Sequence, residues 1–194
     1  MAHVSETYEW DDIWYERTHD ADKKRVLYVG DSISRGVRSS LNRLGEGEIL
    51  FDNAAGSKAL DDPYYDKLME LVIAQEPKRP DLILFNNGLH GFHLGTEEYE
   101  NLLEEKLKLI ASLSGVNPAV VLTTAVKDEK RNESAVIPRN AAATRVARRL
   151  GLAVVDLYGF TKDMPRVGDG VHFNAEDQPK LAGFILEKVK ELLG

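Results

Sequence analysis

The stretch Val26–Ser34, which reads VLYVGDSIS, is the clearest indication of the fold, because it joins an apolar run directly to a short polar turn. Four consecutive apolar residues are typical of a strand that is buried on both faces, as in a parallel sheet. The serines that follow are frequent at the start of a helix, where a hydroxyl accepts from an unpaired backbone N–H. The stretch therefore predicts a strand, a tight turn and a helix in succession.

The same alternation continues along the rest of the chain. The predicted strands are Arg25–Val29, Glu48–Phe51, Asp81–Phe85, Ala119–Thr124 and Leu152–Asp156. The predicted helices are Ile33–Leu44, Pro63–Gln75, Glu97–Leu113, Ala135–Leu150 and Asp177–Leu193. Five strand–helix units in a row predict a three-layer α/β/α sandwich, with a five-stranded parallel sheet covered by helices on both sides.

Residues 1–24 precede this pattern and are predicted to be a peripheral segment that packs on the single domain formed by residues 25–194. Trp10, Ile13 and Trp14 are spaced to share one face of a helix. That face is interpreted as a clamp on the body of the protein. The alternatives are an aromatic lid and a contact between subunits.

The composition excludes several classes of function. The net charge of −7 argues against a nucleic-acid partner, because phosphates would repel it. The chain has no cysteine, which excludes disulfides, thiolate metal sites and a cysteine nucleophile. It shows no signal-peptide pattern and no run of about 18 apolar residues, so we expect a cytoplasmic protein without a membrane span. The composition does not indicate an oligomeric state.

Ser32 is the first candidate for chemistry, because it follows the carboxyl end of the first predicted strand. Ligands of open parallel sheets bind at that edge, and the N–H groups at the start of the next helix favour an anion there. One alternative is that Ser32 is only a helix cap. A phosphate-binding loop is the other, but the chain lacks both G-x-x-x-x-G-K-[ST] and G-x-G-x-x-G.

His172 is the second candidate, because it follows a carboxylate, Asp169, by three residues in a segment with glycines at positions 168 and 170. On a loop this spacing lets the carboxylate hold one ring nitrogen while the other accepts a proton from Ser32. An exposed loop before a helix would explain the same D-x-x-H. Nucleophile, base and orienting group together predict a serine hydrolase.

These short blocks resemble the SGNH, or GDSL-type, hydrolase superfamily. The G-D-S block corresponds to Gly30–Ser32, the block glycine after the second strand to Gly56, and the final D-x-x-H to Asp169 and His172. The resemblance implies a flavodoxin-like fold, a Ser32–His172–Asp169 triad and backbone oxyanion donors at Ser32 and Gly56. It implies no cofactor.

The third block departs from the family pattern G-x-N-D, because Phe85–Gly91 reads FNNGLHG. Aligning the glycines places His90 where the family has its oxyanion asparagine, and the N–H of a neutral imidazole would donate there. Asn87 is the alternative donor. A further alternative is that His90 lies behind the residues that touch the substrate, or on the surface. His90 and His93 without a nearby carboxylate are a poor ligand set, so no metal is predicted.

The resemblance implies short-chain esters, acetylated sugars, thioesters or lysophospholipids as substrates, and the lack of a long apolar insertion in the chain favours a small acyl group. We expect short acyl esters, including O-acetyl groups of carbohydrates, with Asp31, Asn87 and Arg139 as substrate-binding residues. The polar segment Lys127–Pro138 is expected to shape the alcohol side of the pocket, but Arg131 within it is interpreted as part of a solvated loop rather than as a contact to substrate. The alternatives are a non-catalytic phosphate- or nucleotide-binding module and a degenerate member of the superfamily.

Overall fold

The sheet has six strands in the order β1-β3-β2-β4-β5-β6. The computed structural model describes residues 4–194, so the first three residues of the predicted N-terminal segment lie outside the described residues. The strands are β1 Asp11–Trp14, β2 Lys24–Gly30, β3 Ile49–Gly56, β4 Leu82–Phe85, β5 Ala119–Val121 and β6 Val154–Val155. Strands β2 to β6 pair in parallel, which confirms the predicted parallel sheet.

Helices cover both faces of this sheet, as the alternation predicted. They are α1 Ser32–Leu44, α2 Tyr65–Ala74, α3 Thr96–Ser114, α4 Glu129–Arg131, α5 Ile137–Leu150, α6 Leu157–Thr161 and α7 Gln178–Leu193, with a π-helical turn at Asn132–Val136 between α4 and α5. No helix between residues 4 and 194 combines the length and the apolar character needed to span a bilayer.

The central strand β2 is buried on both sides, and its side chains alternate between two apolar clusters. Val26 and Tyr28 pack in the cluster that contains residues of α1 and α7. Leu27 and Val29 pack in the opposite cluster, against residues of α2, α3 and α5. This alternation explains why the strand is apolar at every position rather than at every second one.

The N-terminal segment forms an edge strand where the residue spacing predicted a helical face. Residues Asp11–Trp14 pair antiparallel with Gly56–Asn53 of β3, so the prediction of a helix is wrong and the sheet has one strand more than predicted. The side chains of Ile13 and Trp14 remain 36% and 47% exposed. The free edge of β3 offers unpaired backbone groups, and pairing with them outweighs the weak helical pattern of a short segment.

Strand β3 runs five residues beyond the predicted end at Phe51, although Asp52 and Asn53 are polar. Both side chains are buried and have partners. The Asn53 amide donates to the Tyr28 carbonyl and to Ser34 Oγ, each at 3.1 Å. Arg25 Nη1 donates to both carboxylate oxygens of Asp52, at 2.6 and 2.7 Å. These partners make polar residues compatible with a central strand.

The Arg25–Asp52 pair also ties the N-terminal segment to the sheet. Both side chains are fully buried. Arg25 Nη2 donates to the Glu16 carbonyl at 2.9 Å, and the Glu16 backbone N–H donates to Asp52 at 2.6 Å. One residue earlier, the Tyr15 hydroxyl donates to the Val72 carbonyl at 2.7 Å. The segment is therefore held by polar contacts as well as by strand pairing.

Glu76 lies close to this pair and gives a pH-dependent prediction. Burial, and then the charge of Asp52, raise the pKa of Glu76 to about 9. The native state thus keeps a proton that the unfolded chain releases at about pH 4.3, so stability should fall as pH rises from about 5 to 9. Urea titrations across this range should show the decline in the parent protein and a flatter profile in Glu76→Gln. The exposed Glu70→Gln serves as the control, and an unchanged slope in Glu76→Gln would contradict the assignment.

Candidate active site

The turn between β2 and α1 presents Ser32 at the carboxyl edge of the sheet. Asp31 caps the helix, because its Oδ1 accepts from the Ile33 N–H at 2.8 Å. A side chain at position 30 would place a Cβ atom 2.7 Å from Ser34 Oγ and 2.8 Å from Ser34 Cβ. Only glycine permits so tight a turn, which sets Ser32 as the first residue of α1.

The loop before α7 brings His172 onto Ser32, although 140 residues separate them. His172 Nε2 lies 2.6 Å from Ser32 Oγ, and His172 Nδ1 lies 2.8 Å from Asp169 Oδ2. A carboxylate only accepts, so the Nδ1–H donates to Asp169 and the Ser32 hydroxyl donates to Nε2. This is the geometry of a serine nucleophile with an oriented base.

The Asp169 carboxylate is held in its charged form by the loop that carries it. The backbone N–H groups of His172 and Val171 donate to Oδ1 at 3.0 and 2.8 Å. With the His172 ring, they lower the pKa of Asp169 to about 2. Gly170, at φ +75°, makes the turn that aims both N–H groups at one oxygen. The carboxylate is therefore ionised at neutral pH while remaining half exposed.

Asp31 lies beneath the site rather than on its surface. Its side chain is 2% exposed, and its Oδ2 has no hydrogen-bond partner among residues 4–194. Burial raises the pKa of Asp31, and the charges of His90 and His172 oppose that rise. Asp31 was predicted to bind substrate, and its observed contact is the helix cap that positions Ser32.

The third block places His90 against the N-terminal segment. His90 Nδ1 lies 2.9 Å from Glu6 Oε1, while Nε2 is buried and has no partner in the described part of the chain. Because the carboxylate must accept, the proton sits on Nδ1. Nε2 of a neutral ring then carries a lone pair, so His90 donates from Nε2 only as an imidazolium. The role of His90 in the oxyanion hole stays a prediction.

Asn87 lies at a small cavity of about 20 Å³, whose lining also includes Gly30 and Gly56. Its amide nitrogen donates to the Lys58 carbonyl at 2.8 Å, and its Oδ1 has no partner among residues 4–194. One amide hydrogen is thus available beside the predicted backbone donor of Gly56. Asn87 stays an alternative to His90 as the third oxyanion donor.

Arg139 lies under the loop that carries His90 and is 2% exposed. Its guanidinium donates to the carbonyls of Gly88, His90 and Gly91 at 3.1, 2.7 and 2.6 Å, and to that of Leu94 at 3.4 Å. All of these acceptors belong to one loop. We therefore assign Arg139 to positioning the loop, where the sequence suggested contact with substrate.

The N-terminal segment also holds the loop that follows Gly56, a contact that the sequence did not predict. The Trp10 N–H donates to Ser57 Oγ at 2.9 Å, and this hydroxyl donates to Glu9 Oε2 at 2.7 Å. Glu6 and Ser57 carry no motif, and their partners lie 84 and 48 residues away along the chain. No local signal in the sequence indicates these pairings.

No three histidine or carboxylate side chains within residues 4–194 are arranged to hold a metal ion. The contacts described above are those of an acid–base site built from side chains and backbone N–H groups.

Comparison with known proteins supports the fold. No family model matches the sequence, and no curated protein matches it either. Among solved structures, the lipase/acylhydrolase from Enterococcus faecalis has a TM-score of 0.64 at 18% identity, covering 87% of this chain and 96% of that one. The acetyl xylan esterase AlAXEase has a TM-score of 0.67 at 16% identity, covering 85% and 99%.

A third similar structure is a catalytic mutant of Axe2, an acetylxylan esterase from Geobacillus stearothermophilus. Its TM-score is 0.64 at 17% identity, and the match covers 86% of this chain and 94% of that one. At such identities the likeness concerns the arrangement of strands and helices. The flavodoxin-like α/β/α architecture and these matches together show that the chain has the SGNH, or GDSL-type, hydrolase fold.

Proposed function

We propose that the protein is a serine esterase that cleaves short acyl esters, including O-acetyl groups of carbohydrates, through Ser32, His172 and Asp169. The observation that carries this proposal is the 2.6 Å contact between Ser32 Oγ and His172 Nε2. An isolated helix-capping serine needs no such partner. The similar folds of a lipase/acylhydrolase and of acetyl xylan esterases support the same reaction class.

The reaction follows from the proton positions. His172 Nε2 takes the Ser32 proton while Oγ attacks the ester carbonyl carbon, and Asp169 stabilises the imidazolium that forms. The C–O bond to the alcohol then breaks as His172 returns the proton to the leaving oxygen. Water, deprotonated by His172, attacks the resulting acyl-enzyme and releases the acid and free Ser32. No cofactor takes part in these steps.

The oxyanion forms between the β2–α1 turn and the loop after β3. The backbone N–H groups of Ser32 and Gly56 and a side chain of the third block are its donors. His90 is our choice for that side chain, with the Glu6 carboxylate on its Nδ1 side. Hydrogen-bond donors stabilise an oxyanion most when they are held in place before the reaction. Arg139 holds the loop that carries His90, and Glu6 holds the His90 ring.

The acyl group is expected to be small. The cavity beside Gly30 and Gly56 measures about 20 Å³, which is near the volume of one water-sized probe. A cavity of this size has no room for a long acyl chain. The preference for acetyl over longer acyl groups should therefore be strong in a series of p-nitrophenyl esters.

Labelling with a fluorophosphonate tests the proposed nucleophile. We expect one adduct, located at Ser32 by mass spectrometry, together with hydrolysis of p-nitrophenyl acetate by the unlabelled protein. A phosphate- or nucleotide-binding module would bind its ligand without an adduct or turnover. A degenerate member of the superfamily would have an assembled triad with little turnover, and either result would refute the proposal.

The third oxyanion donor is tested by two alanine variants. Removing one such donor typically lowers kcat by ~10²–10³. We expect this loss for His90→Ala and a smaller one for Asn87→Ala, measured with p-nitrophenyl acetate. A fully active His90→Ala beside a crippled Asn87→Ala would assign the role to Asn87 instead.

A further inference from the structure

One carboxylate of the N-terminal segment lies between the two parts of the chain that carry the proposed oxyanion donors. Glu9 Oε2 accepts from the Ser57 hydroxyl at 2.7 Å, and Ser57 directly follows Gly56. Glu9 Oε1 accepts from the backbone N–H of Glu6 at 2.8 Å, and the Glu6 carboxylate lies 2.9 Å from His90 Nδ1. Glu9 therefore joins the loop after β3 to the loop after β4 through two short hydrogen-bonded paths.

The Ser57 end of this bridge is rigidly placed. Ser57 is 1% exposed, and its hydroxyl also accepts from the Trp10 N–H at 2.9 Å. The Ser57 N–H donates to the Trp10 carbonyl at 3.1 Å, which extends the β1–β3 pairing by one residue beyond Asp11 and Gly56. The Glu9 carboxylate is thus attached to a residue whose position is set by the sheet.

The Glu6 end lies in a stretch without regular structure. Residues 4–10 form neither helix nor strand, and the chain bends at Thr7 and Tyr8. The Glu9 side chain closes this bend by accepting from the N–H three residues earlier, as the glutamate of a capping box does. The side chain of Glu6 is 37% exposed and Glu9 is exposed, so packing does little to place them. The position of the Glu6 carboxylate at His90 therefore depends on Glu9.

We propose that Glu9 is a positioning residue of the active site, which keeps the loops after β3 and β4 at the spacing that the oxyanion requires. It acts through Ser57 on one side and through Glu6 and His90 on the other. Donors stabilise an oxyanion when their geometry is set before the reaction, and a displacement of about 1 Å can lower the rate ~10²-fold. The inference rests on the esterase function proposed above and adds to it a residue that carries no motif.

Replacing Glu9 tests this role directly. Glu9→Ala removes both contacts and should lower kcat for p-nitrophenyl acetate by about 10–100-fold, with KM changed by less than about threefold, because the oxyanion forms only in the transition state. Glu9→Gln keeps one acceptor oxygen and should lose less. Glu104→Ala is the matched control, because its two carboxylate oxygens also have separate partners, Lys108 and Arg149, and it should keep the parent kcat.

A second variant tests the path through the loop after β3. Ser57→Ala leaves the Glu9 carboxylate in place and removes its anchor, so kcat should fall as it does in Glu9→Ala. Ser114→Ala is the control, because the Ser114 hydroxyl likewise accepts from a backbone N–H, that of Val116 at 3.0 Å, and donates to a backbone carbonyl, that of Ile110 at 2.7 Å. It should keep the parent kcat.

A double-mutant cycle separates positioning from a general loss of stability. In the His90→Ala background, Glu9→Ala should lower kcat by a smaller factor than in the parent, because the side chain that it positions is gone. The free energy of unfolding from urea titration should change no more in Glu9→Ala than in Glu104→Ala. Factors that multiply fully in the double variant, a parental kcat in Glu9→Ala, or a loss that appears only in KM would each overturn the proposal.

Hydrogen–deuterium exchange gives a readout that needs no turnover. Glu9→Ala should speed exchange in the peptides that contain Ser57 and His90, and Glu104→Ala should not. This pattern in a protein that neither hydrolyses esters nor reacts with a fluorophosphonate would refute the esterase and keep Glu9 as the link between the two loops. Unchanged exchange in an active protein would refute the link alone.

Discussion

Replacing Ser32 by alanine should lower kcat for p-nitrophenyl acetate by a factor on the order of 10⁶, as loss of the nucleophile does in a serine protease. His172→Ala should cause a loss of similar size, because Ser32 Oγ and His172 Nε2 share one proton at 2.6 Å. When residues act as one unit, the losses of kcat caused by replacing each of them do not add. The double variant should therefore be no slower than either single variant.

The Ser32→Ala substitution should lower kcat and leave the fold intact. Ser32 Oγ has the His172 ring as its hydrogen-bond partner at the edge of the cleft, so its removal should cost at most about 1 kcal/mol in the free energy of unfolding. Ser39→Ala, at an exposed serine of the same helix, is the matched control and should keep full activity. A Ser32→Ala variant with more than about one hundredth of the parent kcat would refute Ser32 as the nucleophile.

Arg25→Met should be the most destabilising change, at about 3–5 kcal/mol, because it leaves the Asp52 carboxylate buried without its cation. Both side chains are fully buried, and the pair also holds the backbone of Glu16. The free energy of unfolding from urea titration is the measurement. The neighbouring Lys24→Met is the matched control, since Lys24 is 59% exposed in its ion pair with Asp81 and should lose at most about 1 kcal/mol.

A second variant distinguishes an unpaired charge from a simple loss of packing. Arg25→Met combined with Asp52→Asn removes the charge that Arg25→Met leaves unpaired, so it should recover part of the stability. The amide oxygen introduced at position 52 can still accept from the Glu16 N–H in that variant. Equal stability of the single and double variants would show that packing, and not charge, dominates at this position.

The local patterns of the chain predicted most of the fold. The ten predicted strands and helices all appear, and the largest errors are the end of β3 and the short β5 and β6. The predicted strand ends at Phe51 because Asp52 and Asn53 are polar. The buried partners that allow these two residues in a strand are distant in sequence, so neighbouring residues give no sign of them. The antiparallel β1 was missed for a similar reason, since its pairing depends on an edge that exists only in the folded sheet.

The site shows the same division. Ser32, Asp169 and His172 were selected from two short motifs, and the structure brings them within hydrogen-bond distance. Arg139 was selected for its charge, but its burial gives it four carbonyls of one loop as partners. Glu6 carries no motif, and it is nevertheless the partner of His90.

Short-range patterns in the chain specify the order of the main strands and helices and the two segments that carry the Ser32 hydroxyl and the His172 imidazole, because apolar periodicity and turn residues act over a few positions. The partner of His90, the pairing of the N-terminal segment and the burial of Arg139 became visible only in the folded chain. These features arise from groups far apart in the chain, and their contacts depend on topology and burial, which no short window of residues encodes.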